Sequence, residues 1–245
     1  MNAAAAVVVI PTYNERENAE LIIRAVLALP AGFDVLIVDD NSPDGTAAVV
    51  KGLMAEFAGR LFLEERPGKQ GLGTAYLHGF RWALARGYEF IFEMDADFSH
   101  NPVDLERLLA ACRDEGADLA IGSRYSNGVN VVNWPMNRVL MSYFASAYVR
   151  TITGMPVHDT TAGFKCYRAQ VLRTIPLDRI RFVGYAFQIE MKFLAWCYGF
   201  RIQEVPIIFT DRTRGQSKMS KGIFKEAVFG VVQMKVDSLF RSFTR

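Results

Sequence analysis

Cysteine and histidine are scarce in this sequence, and neither forms a disulfide or metal-binding pattern. The 245 residues include three cysteines, Cys112, Cys166 and Cys197, an odd number without clustered spacing. Such usage argues against a disulfide framework and favours a reducing compartment such as the cytoplasm. The three histidines lack the spacing of a zinc site.

An excess of charge of one sign is also missing. Lysine and arginine total 28 and aspartate and glutamate total 26, which gives a formal net charge of +2. A strong overall positive field, which would favour nucleic acid, is therefore excluded, and no nucleic-acid partner is expected. Any function of the basic residues must be local.

No apolar run is long enough to span a bilayer, which takes roughly 20 residues. The best candidate, residues 139–149, is framed by Arg138 and Arg150. The apolar run at residues 3–10 lacks the positively charged start of a signal peptide and favours a first buried strand. We therefore expect a soluble or peripheral membrane protein.

Strand and helix signals alternate along the first half of the chain. Apolar runs typical of strands covered on both faces lie at residues 7–10, 33–38, 61–63, 90–94 and 119–122. Helical patterns between them predict an α/β fold with a mostly parallel sheet flanked by helices. Helix caps are expected at Asn14, with Glu17 completing a capping box, and at Ser42, followed by Pro43.

The second half of the chain is less regular. Helices are expected at residues 137–151 and 188–198, and strands at 163–167 and 202–209. Residues 212–222 are polar, basic and glycine-containing, which predicts a mobile loop. A final amphipathic helix is expected at residues 223–243. No low-complexity linker divides the chain, so we predict one domain over residues 1–245.

The segment 93–100 (Glu-Met-Asp-Ala-Asp-Phe-Ser-His) follows a predicted strand. On an extended backbone, residues two apart point to the same side, so Asp95 and Asp97 would meet at one point. Two close carboxylates repel unless a cation lies between them. Mg²⁺ or Mn²⁺ with a substrate diphosphate suits such oxygen ligands, and Ser99 could complete the set directly or through water. Taken alone, the motif also suits a solvated strand end.

Two other strand ends are expected at the same edge of the sheet. Asp39 and Asp40 follow one strand, and the segment 11–15 (Pro-Thr-Tyr-Asn-Glu) follows another. Open parallel sheets bind ligands at the carboxyl ends of their strands. A carboxylate there could bond to a base or ribose, Tyr13 could stack on a base and Glu15 could bond to it. Each segment also suits a turn.

Jointly, three segments resemble family-two glycosyltransferases of the GT-A fold: 9–15 (Val-Ile-Pro-Thr-Tyr-Asn-Glu), 38–46 (Val-Asp-Asp-Asn-Ser-Pro-Asp-Gly-Thr) and 94–102 (Met-Asp-Ala-Asp-Phe-Ser-His-Asn-Pro). Further matches lie at 122–125, 159–168 and 184–191. Within this family, the sequence is most similar to dolichyl-phosphate, or polyprenyl-phosphate, mannose synthases that lack transmembrane helices. The matches cover nearly the whole chain, in order.

The resemblance implies roles for individual residues. Those implied to hold the nucleotide are Pro11, Tyr13, Glu15, Val38 and Asp40. Those implied to lie at the metal and diphosphate are Asp95, Ala96, Asp97 and Ser99, with Asp95 and Asp97 as direct metal ligands. In some relatives, the position of Ser99 carries a longer amide ligand.

Basic residues are implied to complete the catalytic set together with Asp97. Arg124 and Arg138 would face the acceptor phosphate, while Arg212 and Lys218 would lie in a loop that closes over donor and acceptor. Arginine suits this role because its planar fork of donors matches phosphate oxygens.

The implied reaction transfers mannose from GDP-mannose to a polyprenyl phosphate at the cytoplasmic face of a membrane. A phosphate monoester has already lost a proton near neutral pH, so it can attack without a general base. Residues 1–125 would bind the nucleotide sugar and residues 126–222 the acceptor. Residues 223–245 would form an amphipathic helix against the membrane or a small membrane subunit, and their pattern equally suits an ordinary packed terminal helix.

Three alternatives remain open at this stage. The same fold could use another donor, such as UDP-glucose. A sugar-phosphate nucleotidyltransferase should show a glycine-rich phosphate loop near the first strand, and residues 11–15 are not such a loop. A non-catalytic nucleotide-sugar-binding protein would not need the complete set of acidic and basic residues.

Overall fold

The computed structural model describes residues 5–211 and 222–244, and for Tyr185 and residues 222–227 it describes the backbone only. The strands are β1 (Ala6–Thr12), β2 (Asp34–Asp39), β3 (Leu61–Glu65), β4 (Phe90–Glu93), β5 (Leu119–Ser123), β6 (Val131–Val132), β7 (Lys165–Arg168), β8 (Ile202–Pro206) and β9 (Phe209–Thr210). The α-helices are α1 (Arg16–Leu27), α2 (Thr46–Met54), α3 (Leu72–Ala85), α4 (Asp104–Arg113), α5 (Met136–Thr153), α6 (Ala169–Thr174), α7 (Tyr185–Cys197) and α8 (Gly222–Leu239).

Seven strands form one central sheet in the order β3-β2-β1-β4-β7-β5-β8. Strand β7 runs antiparallel to both of its neighbours, and the other pairings in this sheet are parallel. The mostly parallel α/β sheet expected from the sequence is thus confirmed. The chain crosses back over β1 to reach β4, which creates a switch point between these two strands, where open sheets form ligand crevices.

The sheet is buried on both faces. Along β1, Val7 and Val9 join one apolar cluster, whereas Val8 and Ile10 join the other. Successive side chains of a strand point to opposite faces, so a strand with two covered faces needs a continuous apolar run. Helices α1, α2 and α4 contribute to one cluster, and α3, α5, α6, α7 and α8 contribute to the other.

The predicted helix caps are wrong. Helix α1 begins at Arg16, and Asn14 before it adopts a φ of 55°. Helix α2 begins at Thr46 after Gly45. The Ser42 side chain instead connects the two loops, because its hydroxyl accepts the backbone N–H of Asn14 and donates to Asp39. The hydrogen bond between the loops that follow β1 and β2 thus takes the place of the predicted caps, and neither α1 nor α2 has a side-chain cap.

The single strand expected at residues 202–209 is also wrong, because it divides after Pro206 into β8 and β9. Strand β9 leaves the central sheet and pairs in parallel with β6, forming a two-stranded ribbon. The C-terminal helix α8 is present, as expected. Among the described residues, none of the helices has both the length and the apolar character needed to cross a membrane.

Candidate functional site

An open cavity of about 1850 Å³, measured out to solvent, lies over the carboxyl ends of the parallel strands. Its walls come from the segments after β1, β2, β4 and β5, from the starts of α3 and α7, and from β9. The predicted site residues that line it are Pro11, Tyr13, Glu15, Asp40, Asp95, Ala96, Asp97, Ser99, Arg124 and Arg138. Residues far apart in the sequence therefore meet at one site.

The remaining three predicted site residues are not among those that line the cavity. Val38 lies inside β2, where its side chain belongs to the core, and it is not part of the cavity wall. The nucleotide contact that the resemblance implies for Val38 stays a prediction. Arg212 and Lys218 lie outside the described residues.

Asp40 is held by an arginine that the sequence analysis missed. The Arg66 Nε atom donates to Asp40 Oδ1 at 2.6 Å, and both side chains are buried. Burial raises the pKa of the Asp40 carboxyl, and the charge and hydrogen bond of Arg66 partly offset that rise. Arg66 also donates to the Thr74 hydroxyl in α3, so the carboxylate is fixed at the cavity wall.

The register of β2 and β3 explains why Arg66 lies beside Asp40. Strands β2 and β3 are parallel neighbours, with Asp39 opposite Glu65. The next residues along the two strands, Asp40 and Arg66, therefore emerge side by side at the same edge. Sequence periodicity located both strands but did not show that they were neighbours.

An aromatic ring and a basic side chain lie together near Asp40. The Lys69 ammonium is 5.2 Å from the centre of the Tyr13 ring, and both residues line the cavity. Glu15 accepts a hydrogen bond from the Asn18 side chain at 2.9 Å. This end of the cavity offers a flat aromatic surface and carboxylates, the groups that bind a base and ribose.

The glycine-rich loop at residues 68–73 shapes the start of α3. Gly71 has a φ of 103°, which disfavours other residues. A Cβ on Gly73 would lie 2.7 Å from the Phe187 ring, so only glycine allows α3 to approach α7 this closely. Gly71 and Leu72 line the cavity wall, so this loop places the start of α3 beside the cavity.

The Asp95–Asp97 segment is not extended, contrary to the sequence-based expectation. Strand β4 ends at Glu93, and Phe98 adopts a φ of 59°. Asp97 Oδ1 accepts the backbone N–H of Ser99 at 3.1 Å, and the Tyr76 hydroxyl lies 3.4 Å from Asp95 Oδ1. A turn, rather than a pleated strand, brings both carboxylates to the cavity.

The chemistry of this segment suits a hard divalent cation. Within the described ranges, no group of three or more His, Cys, Asp or Glu residues could hold a metal by itself. Two carboxylates are available, however, and the Ser99 hydroxyl is buried without a hydrogen-bond partner in the part of the chain described. Mg²⁺ and Mn²⁺ are often held by one or two carboxylates plus substrate phosphate, so these residues fit such an ion.

His100 forms a neutral wall beside the acidic segment. Its ring stacks on Phe164 with 4.8 Å between centroids and meets Phe209 edge-on. Burial lowers the pKa of His100 to about 4, although the Asp97 charge opposes the shift. At neutral pH, the imidazole therefore carries no charge.

Arg124 belongs to a buried ion pair at the opposite wall. Its Nε donates to Asp159 Oδ2 at 2.7 Å, and its terminal nitrogen donates to Asp159 Oδ1 at 2.6 Å and to the Thr161 hydroxyl at 2.8 Å. Burial disfavours the Asp159 carboxylate, but the Arg124 charge and hydrogen bonds outweigh that effect and lower its pKa. The guanidinium is thereby locked in place against the cavity.

Arg138 lies at the mouth of the same wall. Its guanidinium carbon lies 4.0 Å from the centre of the Trp134 ring, and one of its terminal nitrogens donates to Asp211 Oδ2 at 2.9 Å. The side chain is partly exposed. It therefore presents positive charge where the cavity opens to solvent.

A buried polar network forms the floor of the cavity, and sequence analysis missed it. Glu93 bonds to the Tyr167 hydroxyl and the Gln188 amide, and Lys165 Nζ lies 3.0 Å from Glu93 Oε2. Burial lowers the pKa of Lys165, while Glu93 opposes that shift. Glu93 faces Lys165 across the antiparallel β4–β7 pair, so the sheet register was again the missing signal. Gln188 links this floor to the cavity.

Comparison with known proteins agrees with this architecture. Residues 7–175 match the model for glycosyl transferase family 2, which is more than half of the chain. The polyprenol monophosphomannose synthase of Mycolicibacterium smegmatis is 49% identical over 226 residues, covering 92% of this chain and 85% of that protein. The undecaprenyl-phosphate mannosyltransferase of Micrococcus luteus is 48% identical over 225 residues, covering 92% of this chain and 91% of that protein.

Solved structures show the same fold at much lower identity. Glucosyl-3-phosphoglycerate synthase of Mycobacterium tuberculosis, bound to Mn²⁺, UDP and glucosyl-3-phosphoglycerate, is 15% identical with a TM-score of 0.66. The match covers 98% of this chain and 83% of that one, and it supports the fold alone. The family match and the two mannosyltransferase relatives lead to one assignment. The chain belongs to glycosyl transferase family 2 and is a glycosyltransferase.

Proposed function

We propose that this glycosyltransferase moves mannose from GDP-mannose to a polyprenyl phosphate, of which dolichyl phosphate is one form, with inversion at the sugar carbon. The observation that carries the proposal is that one cavity joins an acidic wall, Asp95 and Asp97, to a basic wall, Arg124 and Arg138. The names of the two relatives, at 48–49% identity, support the polyprenyl-phosphate acceptor and the mannosyl group.

The nucleotide would lie at the end of the cavity formed by β1, β2 and α3. Tyr13 would stack on the base, and Asp40, fixed by Arg66, would accept hydrogen bonds from the base or ribose. Pro11 and Glu15 would complete this wall. Residues 1–125 would thus serve the donor and residues 126–222 the acceptor, within one domain over residues 1–245.

The diphosphate would lie against the segment 95–99. Asp95 and Asp97 would hold Mg²⁺ or Mn²⁺, with Ser99 contributing its hydroxyl directly or through water and Ala96 providing close backbone approach. When bound, the cation would neutralise the charge that grows on the leaving diphosphate. Asp97 orients its carboxylate by accepting the Ser99 N–H, and Tyr76 orients that of Asp95.

The acceptor phosphate would enter at the basic wall. One of its ionised oxygens would attack the anomeric carbon, forming the new C–O bond. The bond from that carbon to the β-phosphate oxygen breaks, and the diphosphate keeps the electron pair. No proton needs to be removed from an oxygen that is already ionised, so this step requires no general base. Arg124 and Arg138 would orient the phosphate, and Arg212 and Lys218 would close over both substrates.

We also propose that the protein works at the cytoplasmic face of a membrane as a peripheral protein, because a polyprenyl chain stays in the bilayer. A small membrane subunit would be an additional anchor. Helix α8 supports this arrangement with the exposed apolar side chains of Phe229 and Leu239, and Phe240 is exposed directly after the helix.

The test is transfer of radiolabelled mannose from GDP-mannose to polyprenyl phosphate in detergent, with Mg²⁺, with Mn²⁺ and with EDTA. Metal-dependent label in the lipid phase is expected. Label from UDP-glucose but not from GDP-mannose would replace the donor and keep the acceptor. No transfer from either donor to a polyprenyl phosphate would contradict the proposed reaction.

A further inference from the structure

Helix α7 carries a lysine in the middle of a buried, mostly apolar stretch. Lys192 is fully buried, and its neighbours Met191 and Phe193 are buried as well. Lysine is almost never fully buried unless its ammonium has partners. No step of the proposed reaction uses this charge, so the reason for its position lies in the groups that it contacts.

The ammonium of Lys192 bonds to three backbone carbonyls. Its Nζ donates to Thr160 O at 2.9 Å, to Ala162 O at 2.7 Å and to Gln188 O at 3.0 Å. An ammonium has three N–H donors and no acceptor, so three carbonyl oxygens use its full hydrogen-bonding capacity. The first two carbonyls belong to the segment before β7, and the third belongs to α7 itself. The lysine thus ties this segment to the helix.

The charges around Lys192 are mixed. Burial lowers the pKa of Lys192, and the charge of Lys165 adds to this shift, whereas the charges of Asp159 and Glu93 oppose it. A neutral amine would offer only two N–H donors to the three carbonyls. The hydrogen bonds therefore favour the charged form of the side chain.

Two of the carbonyls lie on either side of Thr161, which contacts the basic wall of the cavity. The Thr161 hydroxyl accepts a hydrogen bond from a terminal nitrogen of Arg124 at 2.8 Å. Thr161 and Ala162 also line the cavity, as does the adjacent Gly163. Lys192 therefore fixes the backbone of a segment that both holds Arg124 and forms part of the cavity wall.

This segment depends on side chains for its path. Residues 159–163 belong to no helix or strand, so no regular ladder of backbone hydrogen bonds sets their course. Glu204 Oε1 in β8 accepts the backbone N–H of Asp159 at 2.9 Å and holds the start of the segment. Lys192 holds its middle. Loss of the ammonium would release the backbone around Thr161 while the anchor at Asp159 remained.

We propose that Lys192 is a positioning residue for Arg124. Its ammonium holds the backbone on both sides of Thr161, and the Thr161 hydroxyl in turn orients the Arg124 guanidinium at the cavity wall. The role of Arg124 toward the acceptor phosphate rests on the proposed function, whereas the chain of contacts from Lys192 to Arg124 does not.

The first test compares the binding of two ligands. Lys192→Met keeps much of the side-chain volume and removes the ammonium. Lys235→Met is the matched control, because Lys235 Nζ also donates to a backbone carbonyl, that of Thr153 at 3.1 Å, and neither residue lines the cavity. By calorimetry, Lys192→Met should bind farnesyl phosphate, a short prenyl phosphate, roughly tenfold more weakly than the wild type. Its affinity for GDP with Mn²⁺ should be unchanged, and Lys235→Met should bind both ligands as the wild type does.

A second test asks whether Lys192 acts through Thr161. Thr161→Val removes the hydroxyl to which Arg124 donates, so it should weaken farnesyl phosphate binding to a similar extent. The double variant should bind about as weakly as either single variant, because the two changes interrupt the same chain of contacts. Additive losses would show that the two residues act separately and would overturn the proposal.

Amide hydrogen exchange tests the same contacts without a ligand. Exchange at residues 160–163, and at the Arg124 N–H that donates to Asp159, should be faster in Lys192→Met than in the wild type or Lys235→Met. If the wild type binds no farnesyl phosphate, the proposed acceptor fails, and the exchange still decides the role of Lys192. If Lys192→Met does not fold, Lys192→Gln keeps a donor without the charge and should show the same changes to a smaller extent.

Unchanged exchange in Lys192→Met would overturn the proposal in any case. Where the wild type binds farnesyl phosphate, equal affinity in Lys192→Met would do the same. An equal loss of affinity for GDP and for farnesyl phosphate would also overturn it, because that result would assign Lys192 to the stability of the whole fold rather than to the position of Arg124.

Discussion

The buried pair of Arg124 and Asp159 gives the sharpest test of how this site is built. Asp159 is fully buried, Arg124 is 4% exposed, and their closest atoms are 2.6 Å apart. The variant Asp159→Asn keeps the shape of the side chain but removes its charge. Arg124 would then remain as a buried cation whose partner is neutral.

The size of the effect follows from this burial. Removing one partner of a buried ion pair costs about 3–5 kcal/mol, because the remaining charge is uncompensated. For a domain of this length, about 2–4 °C of Tm corresponds to each kcal/mol. We therefore expect Asp159→Asn to lower Tm by roughly 6–20 °C. Circular dichroism during heating would measure the change in Tm, and urea titration would measure the change in the free energy of unfolding.

The same pair makes a prediction about pH. The pKa of Asp159 in the folded protein is lowered, since the charge and hydrogen bonds of Arg124 outweigh the effect of burial. The ionised Asp159 therefore contributes its full stabilisation at any pH above the pKa of an aspartate in the unfolded chain, which is about 3.9. This stabilisation is lost as the pH falls through the lower pKa that Asp159 has in the folded protein. The acid limb of the stability curve should be shallower in Asp159→Asn than in the wild type.

A surface pair supplies the control. Arg113 and Asp114 are bonded at 2.8 Å, but both side chains are about half exposed. Asp114→Asn should leave Tm unchanged within error, since exposed pairs contribute little. If Asp159→Asn is as mild as Asp114→Asn, the inference that buried charge holds the basic wall in place is refuted.

Three further predictions concern the acidic wall and the core beneath it. Asp97→Asn should lower the transfer rate on the order of a hundredfold or more, measured at saturating donor and metal. Tyr76→Phe removes the hydroxyl 3.4 Å from Asp95 and should raise the metal concentration for half-maximal activity by about tenfold, with little change in kcat. Gly79→Ala would place a Cβ 2.4 Å from Val9 Cγ1 and should lower the free energy of unfolding in urea by about 1–3 kcal/mol.

Matched variants check these three outcomes. A near-normal transfer rate in Asp97→Asn would contradict the assignment of Asp97 as a metal ligand. Tyr167→Phe removes a hydroxyl that contacts Glu93 rather than a proposed metal ligand, so an equal shift in metal dependence there would argue against a specific role for Tyr76. A Cβ added at Gly52 would have no neighbour within 4 Å, so Gly52→Ala is the control for Gly79→Ala. If both variants are destabilised equally, crowding against Val9 is not the cause.

The strands and their order along the chain were predictable because burial on both faces leaves continuous apolar runs. Asp40 and Asp97 were predictable site residues for a related reason, since polar groups directly after buried strands share one edge of the sheet. Helix starts were not predictable, as Asn14 and Ser42 show. The Ser42 hydroxyl accepts the backbone N–H of Asn14 from the neighbouring loop and donates to Asp39, so it caps neither helix.

The partners beneath the site could not be read from the sequence, since they depend on which strands are neighbours. Arg66 follows β3, yet it matters because β3 pairs with β2. Lys165 lies opposite Glu93 because β7 inserts in reverse between β4 and β5. A single sequence gives the strands but not this insertion, so the buried network on the cavity floor emerged only from the structure.

The buried partners divide the cavity residues into those held in place by buried groups and those that are partly exposed. Asp40, Arg124 and Gln188 are each bonded to a buried ionic or polar group, so their charges and dipoles are fixed when the chain folds. Substrates would then meet a pattern that needs little reorganisation, which is the condition for strong electrostatic stabilisation of a leaving diphosphate. Changes to these anchored residues should reduce stability and activity together. Arg138, partly exposed at the mouth, lacks such a burial constraint, and its replacement by alanine should lower activity with almost no change in Tm.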